Sequence, residues 1–326
     1  MRRAPSLPGL VAELRARVEL AYKRDIQLAA RAFAKETQAS WLPSQPPIRN
    51  GDDTAALPFA DEQLLFAAEG IRAELVAADP WFAGFCSVLT NVNDVAAMGG
   101  RPWAIVDVLF LGSGDNAQIL AGIADGSARF GVPVVGGHTA RCDGPSMLAV
   151  AIVGRARRCL PSDGARPGHA LVAAIALDGS FRGGGGNFDA ATTAPAERLR
   201  ARLAVLPALA EAGLVAAAKD ISMAGICGTL LMMLEASGCG ARLDLDAIPA
   251  PPDVAPLRWL TAFPSFAFLL AVPPPSLPSL RARFAAVDVA CAVVGELDDA
   301  RVLSLAQGSE RATYWDLRAT PFTGFA

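Results

Sequence analysis

The chain is 326 residues long, 52% hydrophobic and 19% charged, with a formal net charge of −3. That length exceeds one ordinary core and sets an expectation of two domains of roughly 150 residues each. The composition excludes a disordered chain, and the charge supplies no basic field for nucleic acid.

No apolar window is long enough for a membrane helix; the richest run, residues 263–272, contains Pro264 and Ser265 and reads as a buried strand. The opening Met1-Arg2-Arg3 leads into Ala4-Pro5-Ser6 rather than an apolar stretch, which argues against a signal peptide. Six cysteines without C-x-x-C spacing, beside only His138 and His169, argue against structural zinc. A reduced cytoplasmic protein is the expectation.

Residues 9–38 carry Leu10, Leu14, Val18, Leu20, Ile26 and Ala30 at helical spacing and read as helix, and proline-rich 41–49 reads as a connector. Residues 64–68 and 104–111 are apolar runs of strand length. Between them, 82–98 reads as a helix stopped by Gly99-Gly100-Arg101-Pro102. A second helix spans 116–130 and ends at Gly131; strands follow at 132–135 and 147–153. The polar stretch 159–168 is the expected boundary, dividing the chain into domains 1–158 and 165–326. Beyond it come strand 170–176, a loop with Gly183-Gly184-Gly185-Gly186, alanine-rich helical stretches and helix 223–236. Strands at 241–245, 266–272, 290–294 and 302–305 complete a mixed α/β pattern.

The residues with chemical potential cluster at the ends of these segments. Asp52 and Asp53 follow Asn50-Gly51; adjacent side chains in an extended segment point opposite ways. One acid could bind a metal while the other pairs or caps, or the stretch is an ordinary turn. Asp94 falls near the C-terminal end of a helix, where a carboxylate opposes the helix dipole at a cost of up to about 1 kcal/mol that a bound cation would offset. The alternative is an ion pair with an arginine such as Arg101. Asn91 lies three residues earlier on the same helix face. Glu69 follows an apolar run, at a strand end that serves either as a ligand position or as a solvated edge. Gly136-Gly137-His138-Thr139 reads as the end of a strand, open to a phosphate or simply a turn. Asp220 precedes a long apolar helix and serves either as a cap or as a ligand. The four glycines from 183 to 186 lack the Gly-Lys-Ser/Thr of a P-loop. Oxygen donors gathered from separate segments suit a hard cation such as magnesium.

In this order, the pieces resemble the superfamily of aminoimidazole ribonucleotide synthetase, selenophosphate synthetase, thiamine-monophosphate kinase and the hydrogenase-maturation dehydratase. Gly51-Asp52-Asp53-Thr54-Ala55-Ala56 is similar to its Gly-Asp-Asp-Ala-Ala-Val motif. Asn91 to Pro102 is similar to its Asn-x-x-Ser-Asp…Ala-Met-Gly…Pro motif, with Asn93 where serine is usual. Gly136-Gly137-His138-Thr139 resembles its Gly-Gly-His-Ser or Gly-Gly-Asp-Thr, and the region from Asp220 to Pro249 its second-domain signature.

The resemblance implies a two-domain α/β fold whose N-terminal half-barrel is completed by a homodimer. It implies ATP bound with Mg2+, with Asp52, Asp53, Glu69, Asp94 and Asp220 at the metal. Asn91, Gly136, Gly137, His138 and Thr139 fall at the nucleotide. Lys219 and Arg141, each beside a motif, either neutralise phosphate charge as part of the catalytic set or make ordinary surface pairs. Asp94 belongs to the catalytic set on this reading. The implied activity is transfer of the γ-phosphoryl of ATP to an oxygen or similar nucleophile of a small molecule, with no role for nucleic acid or membrane.

Two departures set the alternative of a nucleotide-binding or scaffold protein without turnover. Ala67-Ala68-Glu69 stands where relatives have Thr-Asp, and Met223-Ala224-Gly225 follows Ser222 where the kinases continue with a second acid. No cysteine before residue 50 matches the reactive residue of the selenophosphate synthetases.

Overall fold

The computed structural model describes residues 6–33 and 51–325. The expected connector at 41–49, the end of the first expected helix at 34–38, and Asn50 lie outside the described residues. In chain order come α1 (Leu7–Arg15), α2 (Val18–Arg24), α3 (Ile26–Phe33), β1 (Ala55–Phe59), β2 (Glu62–Ile71), α4 (Ala73–Ala78) and α5 (Pro80–Ala97). Then follow β3 (Arg101–Ser113), α6 (Asn116–Phe130), β4 (Val134–Pro145), β5 (Met147–Ala156), β6 (Ala170–Ile175), β7 (Ser180–Phe181), β8 (Asn187–Asp189), α7 (Ala196–Leu203) and α8 (Val205–Glu211). The remainder is β9 (Ala217–Asp220), α9 (Gly225–Ser237), β10 (Gly240–Asp244), α10 (Pro256–Leu260), β11 (Phe263–Pro264), β12 (Ala267–Val272), α11 (Leu277–Ala285), β13 (Ala290–Asp298), β14 (Val302–Gln307) and β15 (Glu310–Asp316).

The fold is mixed α/β with mixed sheets. Its two compact units interleave in sequence: one draws on Met1–Asp52, Leu160–Thr192 and Ala212–Ala326, the other on Asp53–Cys159 and Thr193–Glu211. The expected boundary region, 159–168, contains one of the crossings, between Cys159 and Leu160. The N-terminal helices and the α7–α8 pair each cross to the other unit.

The five-strand unit has the order β1-β2-β5-β3-β4, antiparallel except for the β3–β4 pair. One face buries Leu65, Ile105, Leu109, Leu148, Val150 and Ile152 against α5, on which α6 packs. The opposite face leaves Phe66, Val106, Val108 and Met147 exposed. α5 begins as its sequence dictates, with Pro80 in the first turn and the Asp79 side chain accepting from Phe82 N. It packs unusually close to α6: a Cβ on Gly84 would lie 2.1 Å from the Ile119 carbonyl, and one on Gly122 1.9 Å from that of Trp81. This contact fixes the helix that carries Asn91 and Asp94.

The seven-strand unit has the order β15-β14-β10-β13-β6-β12-β9, with β10 and β14 parallel. Every residue of β6 and β12 is buried, as the apolar run near residue 270 led one to expect. A small sheet, β11-β8-β7, accompanies it. The helix expected over 9–38 is three helices, because the chain turns extended at Arg17 (ψ 131°) before α2 begins. Amphipathic spacing persists across such a break, so periodicity does not reveal it. Among the described residues no helix is long and apolar enough to cross a membrane.

Candidate functional site

In the five-strand unit the last turns of α5 carry two of the candidates, Asn91 and Asp94. Asn91 is fully buried, and its amide donates to Ser87 O at 2.8 Å and to Val150 O at 3.1 Å. It therefore pins α5 to the central strand β5. Asp94, one turn on, is 7% exposed. The arginine that a purely structural reading would give it is engaged elsewhere: Arg101 grips Glu211 at 2.5 and 3.3 Å. Those hydrogen bonds hold the Glu211 carboxyl below its usual range and raise the Arg101 guanidinium.

Strand register adds an acid that sequence reading missed. Glu69 on β2 lies opposite Val150 on β5; Val150 lies opposite Asp107 on β3; Asp107 lies opposite Gly137 on β4. Residues in register share a face of the sheet. Val150 is buried under the helices, so Glu69, Asp107 and Gly137 form one row on the helix-covered face. The Val150 carbonyl in that row is the one Asn91 holds. Gly137 is required there, because a Cβ would fall 2.3 Å from Asp107 Oδ1 and 2.7 Å from its carbonyl oxygen. An acid interrupting the apolar run 104–111 was the sequence signal for Asp107.

The expectation that Gly136-Gly137-His138-Thr139 ends a strand is corrected: all four lie inside β4, which pairs with β3 as far as Pro145. A shift of register between Ile105 and Val106 lets Val135 bulge while the strand continues. The motif is thereby split between faces. Gly137, Thr139 and Arg141 share the acid row's face, opposite Asp107, Leu109 and Leu111, whereas Gly136 and His138 lie opposite Val106 and Val108 on the open one. Glu69 itself is exposed and lies two residues before the end of β2.

Asp53, half-buried, precedes Thr54, which is 2% exposed. The Thr54 hydroxyl and the Asn91 side-chain oxygen are buried without a hydrogen-bond partner among the described residues. Buried oxygens of that kind are uncommon and mark places where an ion, water or ligand is accommodated.

The seven-strand unit holds the other candidates. Asp52 Oδ2 accepts from Ser162 N at 2.7 Å, and Oδ1 accepts from Ser162 Oγ and, at 3.4 Å, from Lys219 Nζ. The ion pair is buried, with side-chain exposures of 3% for Lys219 and 6% for Asp52. Asp220, 6% exposed, ends β9 opposite Phe268. It does not cap the following helix, whose N-cap residue is Ala224. The four-glycine stretch joins β7 to β8, with Arg182 N donating to Asn187 O across it.

Among the described residues no three His, Cys, Asp or Glu side chains converge as a ready-made metal cage. Magnesium does not require one; it is commonly held by one or two carboxylates together with waters and substrate phosphates. Asp94, Asp107 and Glu69 are hard oxygen donors, the ligand chemistry such an ion takes.

The chain matches the family described as AIR synthase related protein in both parts, the N-terminal domain over residues 51–156 and the C-terminal domain over 169–306. An uncharacterised Synechocystis protein, sll0787, is 45% identical over 98% of either chain. The phosphoribosylformylglycinamidine synthase subunit PurL of Methanosarcina barkeri is 28% identical over 77% of this chain and 39% of its own. Among solved structures, T. maritima PurL complexed with ATP superposes with a TM-score of 0.71 at 20% identity, covering 92% of this chain and 52% of that one. The matched region thus spans 39% of the length of the Methanosarcina barkeri PurL and 52% of that of the T. maritima PurL chain.

Proposed function

The chain belongs to the AIR synthase related family in both of its domains, and on that premise we propose that it is a magnesium-dependent, ATP-binding enzyme. It transfers the γ-phosphoryl of ATP to an oxygen or similar nucleophile of a small molecule. The observation that carries this reading is the acid row on the helix-covered face of the five-strand sheet, with Asp94 at the end of the helix pinned above it. The PurL relative solved with ATP supports the choice of nucleotide.

Asp94, Asp107, Glu69 and Asp53 would hold the metal, which when bound supplies charge neutralisation to the phosphate oxygens. Gly137 leaves backbone room beside Asp107, and Thr139 and Arg141 on the same face offer donors to phosphate. Asn91 positions α5 through Val150 rather than reaching a ligand with its amide hydrogens. Asp220, at the buried end of β9, remains a ligand candidate. Lys219, tied to Asp52, acts through that acid and not on phosphate.

The homodimer is part of the proposal. Phe66, Val106, Val108 and Met147 form an exposed apolar sheet face, and β1 and β4 are open edges. Both features are costly in water and are relieved by a second copy of the same half-barrel.

The deciding experiment is a phosphoryl-transfer screen of ATP and magnesium against pooled cell metabolites. Turnover dependent on one acceptor supports the enzyme. Tight nucleotide binding without turnover on any pool returns the chain to the scaffold reading.

A further inference from the structure

Residues before 51 and after 306 lie outside both matched family domains, yet the described ones among them, 6–33 and 307–325, pack together. Arg15 on α1 donates to the carbonyls of Tyr314 and Thr313 on β15, at 2.7 and 3.1 Å. Gln27 on α3 donates to Phe322 O at 2.8 Å, and the Arg24 guanidinium lies 5.6 Å above the Trp315 ring. The helices thus hold the segment that follows β15.

That segment is gripped a second time, by a buried carboxylate of α9. Glu235 is 4% exposed. It accepts from the backbone N–H groups of Phe322 and Thr323, each at 2.6 Å, from Thr323 Oγ1, and from Gly324 N at 3.3 Å. A carboxylate buried to that degree requires such donors, and charge-assisted bonds of this length are strong. What they fix is the next residue, Phe325. Its ring stands where a side chain on Gly51 would be: a Cβ there would lie 2.7 Å from the ring carbons. Gly51 also has φ +100°, a conformation that favours glycine. Asp52, immediately after it, is held by Ser162 and Lys219, and Asp53 follows in the chain.

We infer that the two terminal extensions are a positioning device for the Gly51-Asp52-Asp53 turn, with Phe325 as the positioning residue and Glu235 as its anchor. The consequence for nucleotide rests on the proposed function; the positioning itself does not. Phe325 borders Gly51 and not the carboxylates, so cutting its ring away loosens the turn that carries them. The device therefore governs the metal affinity of the motif without touching the ligand.

The test reads the Ser162 amide, whose N–H is bonded by Asp52 only while the turn is in place. Hydrogen exchange is measured on the full chain without ligand, in the wild type, Phe325→Ala, Phe325→Tyr and a variant ending at Pro321; Asp52→Ala sets the released value. The expected result is about tenfold faster exchange at Ser162 in Phe325→Ala and in the shortened chain, with β6 and β12 unchanged and Phe325→Tyr close to wild type. Magnesium-ATP affinity should fall by a similar factor in the same variants. Unchanged exchange at Ser162 in both variants overturns the inference. So does acceleration spread evenly over β6 and β12, which would make the extensions a general support. A wild type that binds no magnesium-ATP defeats the proposed function instead and leaves the exchange data to decide this inference.

Discussion

The two sheets treat their faces differently. In the seven-strand unit, β6 and β12 are buried along their whole length, and strands of that kind carry no spare side chain for chemistry. In the five-strand unit one face is covered and the other open, and strands alternate between them. Asp107, half-buried at a covered-face position of such a sheet, is not an ordinary solvent-facing residue of an amphipathic strand, whereas Glu69, in register with it, is exposed near the end of β2. The open face carries valine, phenylalanine and methionine instead of the polar residues an exposed face ordinarily has. The inversion is the informative feature: polar groups where the core should be, apolar groups where water should be. The proposed ligand would account for the first and the proposed partner copy for the second.

The largest effect that would sharpen this contrast lies in the seven-strand unit. Removing one half of the Asp52–Lys219 pair by Lys219→Met should cost about 3–5 kcal/mol in chemical denaturation, because the buried carboxylate keeps its Ser162 bonds but loses this cation. The Asp52→Asn/Lys219→Met double variant should recover part of that loss. An unaltered midpoint for Lys219→Met would show that Asp52 does not depend on it. On the open face of the other unit, Val108→Asp places a charge in the apolar patch. Sedimentation should then show monomer where the wild type shows dimer, with dimer affinity weakened by about a hundredfold or more. A wild type that sediments as monomer at micromolar concentration removes the partner from the account.

Asp107→Asn probes the covered face. Its magnesium-dependent nucleotide affinity should drop by about ten- to a hundredfold with little change in melting temperature. Retained affinity would reduce the acid row to packing. The smallest effect is expected for Arg101→Ala. Its bond to Glu211 is solvent-exposed, so stability should change by less than about 1 kcal/mol and nucleotide affinity not at all. A fall in affinity would mean that Arg101 supports Asp94 after all.

How much of this was legible in the sequence depends on the range of the interaction that fixes each part. The stop of α5 was readable because Gly99-Gly100 and Pro102 act within a turn of the helix they end, whereas its start at Pro80, capped by Asp79, lies two residues before the expected one. The acids Asp53, Glu69, Asp94 and Asp220 were visible through their positions at segment ends. Asp107 was not, since only the register of three other strands shows that its face is the covered one. The Gly136-Gly137 pair was read as a strand end because two glycines break an isolated strand; the pairing with β3 that carries the strand onward is a tertiary fact. The engagement of Lys219 by Asp52, across 167 residues of sequence, left no local trace. Neither did the break in the N-terminal helix.

The most direct test of the central claim is a calorimetric titration of ATP into the wild type and Asp94→Asn, each with and without magnesium. The account predicts magnesium-dependent binding by the wild type and its loss in Asp94→Asn, while the apo variant melts no lower than the wild type because a carboxylate opposing the α5 dipole has been removed. No binding by the wild type at millimolar ATP, or equal binding by Asp94→Asn alongside a lower melting temperature, would contradict it.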